Sequence, residues 1–206
     1  MPTLIDLARA IEARDPYSSG HAARVTALAE VVAARLGWDD DQIEVLRIGA
    51  ALHDIGKLAL SDSVLRKPGP LSERELDEVR AHPEEGARML GLIGTLREAV
   101  PGVLHHHERW DGCGYPAGHA AEAIPPEARV LAVVDAFDAM TSDRPYRKAL
   151  PIERVIKELE TYKGKQFDEQ VATILLDLYW KGEFPLIVEA DATTEIYNSL
   201  VEHVQV

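Results

Sequence analysis

Apolar residues recur every three or four positions along most of the chain, which is the period of an amphipathic helix. In residues 3–14 the apolar stripe consists of Leu4, Leu7, Ala8 and Ile11. A second stripe runs through residues 21–36 and is followed by Gly37, a residue type that commonly ends helices. The pattern therefore predicts a helix in each of these two stretches.

Capping signals predict where the next helix begins. Asp39 followed by Gln42 is typical of a capping box, in which two side chains satisfy free backbone amides at a helix start. The predicted helix carries the adjacent pair His53 and Asp54. Lys57 follows His53 by four residues, so we expect these two side chains to share one helix face.

A second capping signal, Ser72 followed by Glu75, predicts another helix. This helix must stop or bend near His82-Pro83, because proline disfavours helical geometry in the residue before it. The periodicity then predicts two shorter helices, over about 84–91 and 94–106.

The segment 109–126 is rich in glycine and proline and predicts a long ordered loop. A helix apolar on nearly all sides follows from Glu127, and we expect its Asp135 to be buried. Amphipathic helices are predicted over 151–162 and 168–181. No internal repeat or convincing sheet is present, so the predicted fold class is all-α.

The chain of 206 residues is 46% hydrophobic, which suits one domain with a sizeable core. We place this domain at residues 1–184 and assign 185–206 to a C-terminal tail of mixed pattern. The net charge of −13 argues against binding to polymeric nucleic acid or to an anionic membrane. A small anionic ligand still fits if positive charge is concentrated in a cleft.

The single cysteine, Cys113, excludes an internal disulfide framework and fits a reducing compartment. The N-terminus has no basic segment followed by an apolar stretch, and no apolar run reaches the roughly 18 residues that span a bilayer. We therefore expect a cytoplasmic protein.

The pair His53 and Asp54 lies in an apolar run, where an imidazole beside an ionised carboxylate is costly without a compensating charge. A pair of this kind more often makes a core hydrogen bond than a metal site. The metal hypothesis therefore depends on partners elsewhere in the chain. Candidate partners lie near predicted helix ends or within an apolar run: His21, His82, His106, His107 and Asp135.

Several separated motifs together resemble the HD-GYP domain, a bacterial branch of the HD-type phosphohydrolases that degrades cyclic di-GMP. In chain order they are LHDIGK, KPGPLSERE with its downstream His-Pro, HHERWDGCGYP, IPPEARVLAVVDAFDAMTSDRPYRKAL and QFD. The resemblance covers about residues 15–170. It implies a single HD-type helical bundle with a long ordered loop over a dinuclear metal site.

Carried over position by position, the resemblance implies seven metal ligands. They are His21, His53, Asp54 and Asp135 for one ion and His82, His106 and His107 for the other, with Asp54 bridging. Imidazole and carboxylate ligands suit iron, manganese, zinc, cobalt or nickel, and the resemblance favours iron or manganese. The implied reaction is attack by a metal-bridging hydroxide on cyclic di-GMP to give pGpG, with a further cut to GMP left open.

The resemblance also implies residues that act on the substrate. We expect Asp54 and Lys57 to be catalytic, with Lys57 adding positive charge at the phosphate or assisting the leaving oxygen. Gly114 shapes the loop, and Tyr115 can stack on a guanine or hydrogen-bond to it. Arg144 and Arg147 follow Asp135 closely enough to reach a second phosphate. The alternatives are a surface lysine, a packed tyrosine and solvated arginines.

The HHE pattern selects His106 and His107 as ligands, and His105 replaces one of them if the register is shifted by one. We expect His105 and His119 to be exposed, or to contact the ligand residues without binding a metal themselves.

Family members that hold three metals have a glutamate four residues before the first ligand histidine, where this chain has Tyr17. We therefore predict two metals. Glu12 or Asp15 could replace that glutamate only if the turn folds back.

Three other functions stay open. The metal site could act on another cyclic or linear nucleotide, or it could be a diiron oxygenase. Alternatively the domain could sense cyclic di-GMP or dock onto a diguanylate cyclase with negligible turnover. A missing upstream regulatory domain and a homodimer formed through the 3–14 helix are further hypotheses.

Overall fold

The computed structural model describes residues 12–14, 20–142 and 148–184, and these residues form helices and loops without a named strand. The α-helices are α1 (His21–Leu36), α2 (Asp40–Leu52), α3 (Asp62–Leu65), α4 (Glu73–Arg80), α5 (His82–Gly91), α6 (Val100–His105), α7 (Pro126–Thr141), α8 (Ile152–Tyr162) and α9 (Glu169–Trp180). Short 3-10 helices cover Ile55–Ala59, Gly94–Ala99 and Ala121–Ala123. The all-α prediction is confirmed.

The predicted helix boundaries are confirmed where a local signal marks them. Gly37 ends α1 in a left-handed conformation with φ 80°. Both capping boxes form, the first from Asp39 and Gln42 and the second from Ser72 and Glu75. These contacts join residues three positions apart, so the local sequence is enough to specify them.

The prediction that α2 continues through Lys57 is wrong. The helix ends at Leu52, and a 3-10 helix begins at Ile55. Gly56 lies against the backbone of α5, where a Cβ atom would overlap the carbonyl oxygen of His82. Lys57 therefore does not share a helix face with His53, and its ammonium instead contacts Asp54 at 2.6 Å.

The single helix expected over 94–106 is also wrong, because it is a 3-10 helix followed by α6. Pro101 lies in the first turn of α6. A proline ring lacks an N–H and clashes inside an α-helix, but it is tolerated in the first turn. Pro83 similarly lies in the first turn of α5, which begins at His82 rather than at about 84.

Two hydrophobic clusters hold the helices together. The larger one joins α1, α2, α7, α8 and α9 through fully buried residues such as Val32, Leu46 and Leu131. The smaller one joins the end of α2 to α5 and α6 through Leu52 and Leu90, among others. Because α2 contributes to both clusters, the residues that follow it are held in place from two sides.

Several sequence predictions lie outside the described residues. They concern residues 3–11 of the first helix, the tail 185–206, and Asp15, Tyr17, Arg144 and Arg147. Among the described helices, none combines the length and the apolar character needed to cross a bilayer.

Candidate metal centre

Three histidines of the predicted ligand set are held in the same way by their own backbone. In each one, Nδ1 donates a hydrogen bond to the carbonyl oxygen three residues earlier. The bonds are His53 to Ala50 (2.8 Å), His82 to Val79 (2.7 Å) and His106 to Val103 (2.6 Å). A carbonyl oxygen can only accept, so the proton lies on Nδ1 and the lone pair lies on Nε2.

The free Nε2 atoms face each other in pairs. His21 and His53 approach to 3.2 Å between their Nε2 atoms, and His82 and His106 also approach to 3.2 Å. Two lone pairs at this distance repel unless a cation or a proton lies between them. Two nitrogens bound to one divalent ion at about 2.1 Å lie about 3.0–3.4 Å apart, so both pairs fit a metal ion.

Asp54 lies between the two pairs of histidines. One of its oxygens, Oδ2, lies 3.6 Å from Nε2 of His53 and 3.9 Å from Nε2 of His21. The other oxygen, Oδ1, lies 3.3 Å from Nε2 of His82. A single carboxylate therefore presents one oxygen to each group, as a ligand bridging two ions would.

The remaining two predicted ligands also reach this centre. Asp135 places Oδ1 3.4 Å from Nε2 of His21. It is half-buried rather than buried as expected, because that side of α7 faces the centre instead of the core. His107 joins His82 and His106, with ligand atoms of all three within 4.8 Å of one another. The structure thus brings together all seven predicted ligands.

Two residues that support His21 are not among the predicted site residues. Asp138 is 3% exposed, and its Oδ2 accepts a hydrogen bond from Nδ1 of His21 at 2.7 Å. Nε of Arg24 donates to the other oxygen of Asp138 at 2.5 Å. Asp138 follows Asp135 by three residues on α7, and that helical spacing could have identified it.

Electrostatics differ between the two halves of the centre. Burial alone would lower the pKa of His21, but the hydrogen bond to Asp138 and the charges of Asp135 and Asp54 raise it. Burial would raise the pKa of Asp54, yet Lys57 and the surrounding histidines hold it well below its usual value. Asp54 is therefore ionised and available as a ligand.

The histidines of the other half are neutral near pH 7. Burial lowers the pKa of His82, and it lowers that of His106 well below the usual value with the neighbouring His107 contributing. Burial also lowers the pKa of His107 to about 4. Metal ligation needs unprotonated imidazole, so these three side chains are ready to bind an ion.

The predicted substrate residues that the structure describes lie at the same centre. Tyr115 stacks on the ring of His107 with 4.9 Å between centroids, and its backbone N–H donates to the carbonyl of His107. A Cβ atom at Gly114 would lie 2.5 Å from Cα of Glu108, so only glycine allows the loop to close here. Arg144 and Arg147 lie outside the described residues.

The long loop is anchored to the segment between α8 and α9. Trp110 and Asp111 donate backbone hydrogen bonds to the carbonyls of Gln166 and Lys165. Arg109 pairs with the carboxylate of Asp111. The loop that carries Tyr115 is therefore ordered by contacts distant in sequence.

The start of the described chain does fold back toward the centre. Glu12 accepts a hydrogen bond from the backbone N–H of Ala22 at 3.4 Å, and burial raises its pKa. Its carboxylate thus lies at the N-terminal turn of α1 beside His21.

His105 and His119 stack on each other with 4.7 Å between centroids and belong to a different group from the seven ligands.

Comparison with known proteins identifies the family. The family model described as "HD domain" matches residues 6–171. The cyclic di-GMP phosphodiesterase response regulator RpfG of Xanthomonas campestris is 41% identical over 181 residues, which are 84% of this chain and 47% of RpfG. The 3'3'-cGAMP-specific phosphodiesterase 3 of Vibrio cholerae is 37% identical over 150 residues, covering 73% of this chain and 33% of that protein.

This chain therefore spans less than half the length of these two relatives. A crystal structure of a V. cholerae cyclic GMP-AMP specific phosphodiesterase superimposes with a TM-score of 0.73 at 17% identity, over 95% of this chain and 52% of the other. That likeness shows the shared fold. The chain belongs to the HD domain family, and to its HD-GYP branch.

Proposed function

We propose that this chain hydrolyses a phosphodiester bond of cyclic di-GMP and opens the ring to pGpG. The observation that carries the proposal is the position of Asp54, whose two oxygens face two separate groups of histidines. Such a carboxylate fits two ions held side by side, which is the arrangement that phosphodiester hydrolysis uses. The relatives named as cyclic di-GMP phosphodiesterases support this substrate.

Two divalent ions, bound by the seven ligands, would lower the pKa of water and stabilise charge on the phosphate. The ligand set contains histidine and aspartate and no thiolate, which suits a transition metal. We propose iron or manganese, on the basis of the family resemblance. Four positive charges from the ions exceed the two negative charges of Asp54 and Asp135, so the loaded centre attracts an anion.

The chain's own residues then bind and orient the substrate. Lys57 places its ammonium 2.6 Å from Oδ2 of Asp54, at the edge of the centre. In the metal-loaded protein, this ammonium would add positive charge beside a phosphate oxygen or the leaving oxygen. Tyr115 offers a ring face and a hydroxyl beside His107 to a guanine base. Contacts from Arg144 and Arg147 to a second phosphate stay predictions.

A second candidate substrate is 3'3'-cGAMP, which is favoured by the name of one V. cholerae relative. This ring contains the same two phosphodiester links and replaces one guanine with adenine. The metal centre cannot distinguish the two, because both present the same phosphate group. Parallel assays with equal concentrations of the two cyclic dinucleotides measure the preference through the ratio of kcat/KM values.

The decisive experiment follows products by chromatography. Purified protein of known metal content is incubated with cyclic di-GMP and added iron(II) or manganese(II). We expect pGpG to appear over time, and accumulation of GMP would show that a second cut follows. The double variant His53→Ala with Asp54→Ala should lose both bound metal and product formation. Asp77→Ala, which removes an exposed carboxylate on α4, should retain both.

Other outcomes would overturn the proposal. Unchanged hydrolysis in the double variant would exclude this centre as the active site. Two bound ions with intact substrate after hours would favour a module that senses cyclic di-GMP. Oxygen consumption without ester cleavage would favour a diiron oxygenase.

Two proposed partners beyond the substrate, a diguanylate cyclase docking at the loop and a regulatory domain, rest on the resemblance alone. The third, a second copy of the chain, rests on the apolar stripe of residues 3–14. The helix suggested for the dimer contact lies almost entirely outside the described residues. Size measurement of the purified protein tests the dimer directly.

A further inference from the structure

A second group of possible metal ligands lies apart from the seven described above. It consists of His105 at the end of α6, Glu108 in the following turn and His119 in the long loop. One potential ligand atom from each residue lies within 4.8 Å of the other two. Nδ1 of His105 lies 3.4 Å from Oε1 of Glu108, and the rings of His105 and His119 stack.

Two buried atoms in this group lack hydrogen-bond partners. The side chain of Glu108 is 0% exposed, and its Oε1 accepts a hydrogen bond from the backbone N–H of Ala117 at 2.7 Å. Its other oxygen, Oε2, is buried without a partner, and so is Nδ1 of His119. In the part of the chain that the structure describes, only one other buried side-chain atom shares this condition, Nε of Arg129.

Unpartnered buried polar atoms are costly, and a buried carboxylate oxygen is more costly than a neutral group. The neighbouring Arg109 does not compensate this buried charge. The guanidinium of Arg109 pairs with Asp111 and Gln166 instead. A cation held jointly by Glu108 and the two histidines would compensate the charge of this buried carboxylate.

We propose that His105, Glu108 and His119 form a separate mononuclear site for a divalent transition metal of the zinc class. Two imidazoles and one glutamate, with water in a fourth position, are a ligand set that zinc accepts in proteins. Binding would draw the ligand atoms from their present spread to about 3.4 Å apart, the separation in a tetrahedral site. Both histidines are partly exposed, whereas Glu108 is buried.

This ion would cross-link Glu108, just before the long loop, to His119 within it. Glu108 precedes Tyr115 and His119 follows it, so a bond to both residues closes the segment that holds Tyr115 against His107. Glu108 is also adjacent to His107, a ligand of the dinuclear centre. The site would therefore stabilise the loop conformation without taking part in chemistry. The metal content of this site does not depend on which substrate the enzyme uses.

The test measures zinc and cobalt rather than activity. The full chain is stripped with a chelator, reloaded with zinc(II), dialysed and analysed for metal per folded chain. We expect His119→Ala to bind one ion fewer than the wild type and to keep the ions of the dinuclear centre. His105→Ala should show the same loss of one ion. Glu122 is an exposed acidic residue of the same loop, and Glu122→Ala should bind as many ions per chain as the wild type.

Cobalt(II) gives an independent signature of the same site. A low-coordinate cobalt ion with two histidines and one carboxylate absorbs in the visible range, in addition to cobalt in the dinuclear centre. The part of the absorption that this site contributes should be lost in His119→Ala and kept in Glu122→Ala. Circular dichroism confirms that each variant is folded. Equal metal content in the wild type and both histidine variants would overturn the proposal. Loss of two or more ions in folded His119→Ala would instead assign this residue to the dinuclear centre and also overturn it.

Discussion

Nδ1 of His21 donates a 2.7 Å hydrogen bond to Oδ2 of Asp138, and Nε of Arg24 holds the other oxygen of the same carboxylate. The first two of these residues are 117 positions apart in the chain. The bond directs Nε2 of His21 toward His53 and Asp135. A carboxylate behind a ligand histidine fixes the ring and makes its free nitrogen a better ligand.

Replacing Asp138 with asparagine should weaken metal binding. Asp138→Asn keeps the shape of the side chain but removes the charge that orients His21 and pairs with Arg24. Loss of such a supporting residue typically lowers metal affinity about 10–100-fold. Competition against a chromophoric chelator measures the change. Ser142→Ala removes a hydroxyl near the same carboxylate and should have little effect. Unchanged affinity in Asp138→Asn would show that His21 does not depend on this bond.

Replacing Gly114 with alanine should destabilise the protein. A Cβ atom there would lie 2.5 Å from Cα of Glu108 and overlap the backbone of Arg109, and neither backbone can move freely. Overpacking of this kind costs about 1–3 kcal/mol. Urea unfolding of Gly114→Ala and of the wild type measures this loss in the free energy of unfolding. At Gly69 a Cβ atom meets nothing within 4 Å, so Gly69→Ala should unfold at the wild-type urea concentration. Equal midpoints for the two variants would contradict the loop packing.

Removing the ammonium of Lys57 should slow turnover without emptying the metal centre. The group contacts Asp54 at 2.6 Å but is not itself a metal ligand. Loss of a positioned donor at a reacting oxygen typically costs about 100–1,000-fold in kcat. Lys57→Ala is compared for kcat and bound metal with Lys67→Ala, whose ammonium pairs with Glu75 on the surface. A normal kcat in Lys57→Ala would leave Lys57 without a catalytic role.

Acid should destabilise the metal-free protein through His107. Burial lowers the pKa of this histidine to about 4, below the value near 6.5 that it has in the unfolded chain. Between those two pH values the imidazole binds a proton in the unfolded state but not in the folded state. The free energy of unfolding therefore falls as pH falls. Because the ring is partly exposed, the loss should be about 2–3 kcal/mol over this window.

This pH effect can be isolated by difference. Urea unfolding of chelator-treated wild type and His107→Gln is measured at pH 7.5, 6 and 5. We expect the wild type to lose more free energy of unfolding than the variant as pH falls. Parallel losses in the two proteins would assign the acid sensitivity to His82, His106 or other groups.

The sequence alone predicted the elements whose signals are local. The end of α1 at Gly37 and both capping boxes formed as expected, because each depends on residues within a few positions of one another. The seven proposed ligands followed from the resemblance of separated motifs to the HD-GYP domain, and the structure brings all of them to one centre. The all-α fold likewise follows from periodicity that each helix shows by itself.

Only the tertiary structure decided the features that depend on contacts between distant segments. The helix after Asp39 stops at Leu52, and Gly56 then lies against the backbone of His82; no local pattern shows either feature. Lys57 therefore pairs with Asp54, and the buried carboxylate behind His21 is Asp138. The group of His105, Glu108 and His119 likewise forms only when the loop folds back on α6. Periodicity and capping report short-range geometry, whereas these contacts depend on how the helices and loops pack together.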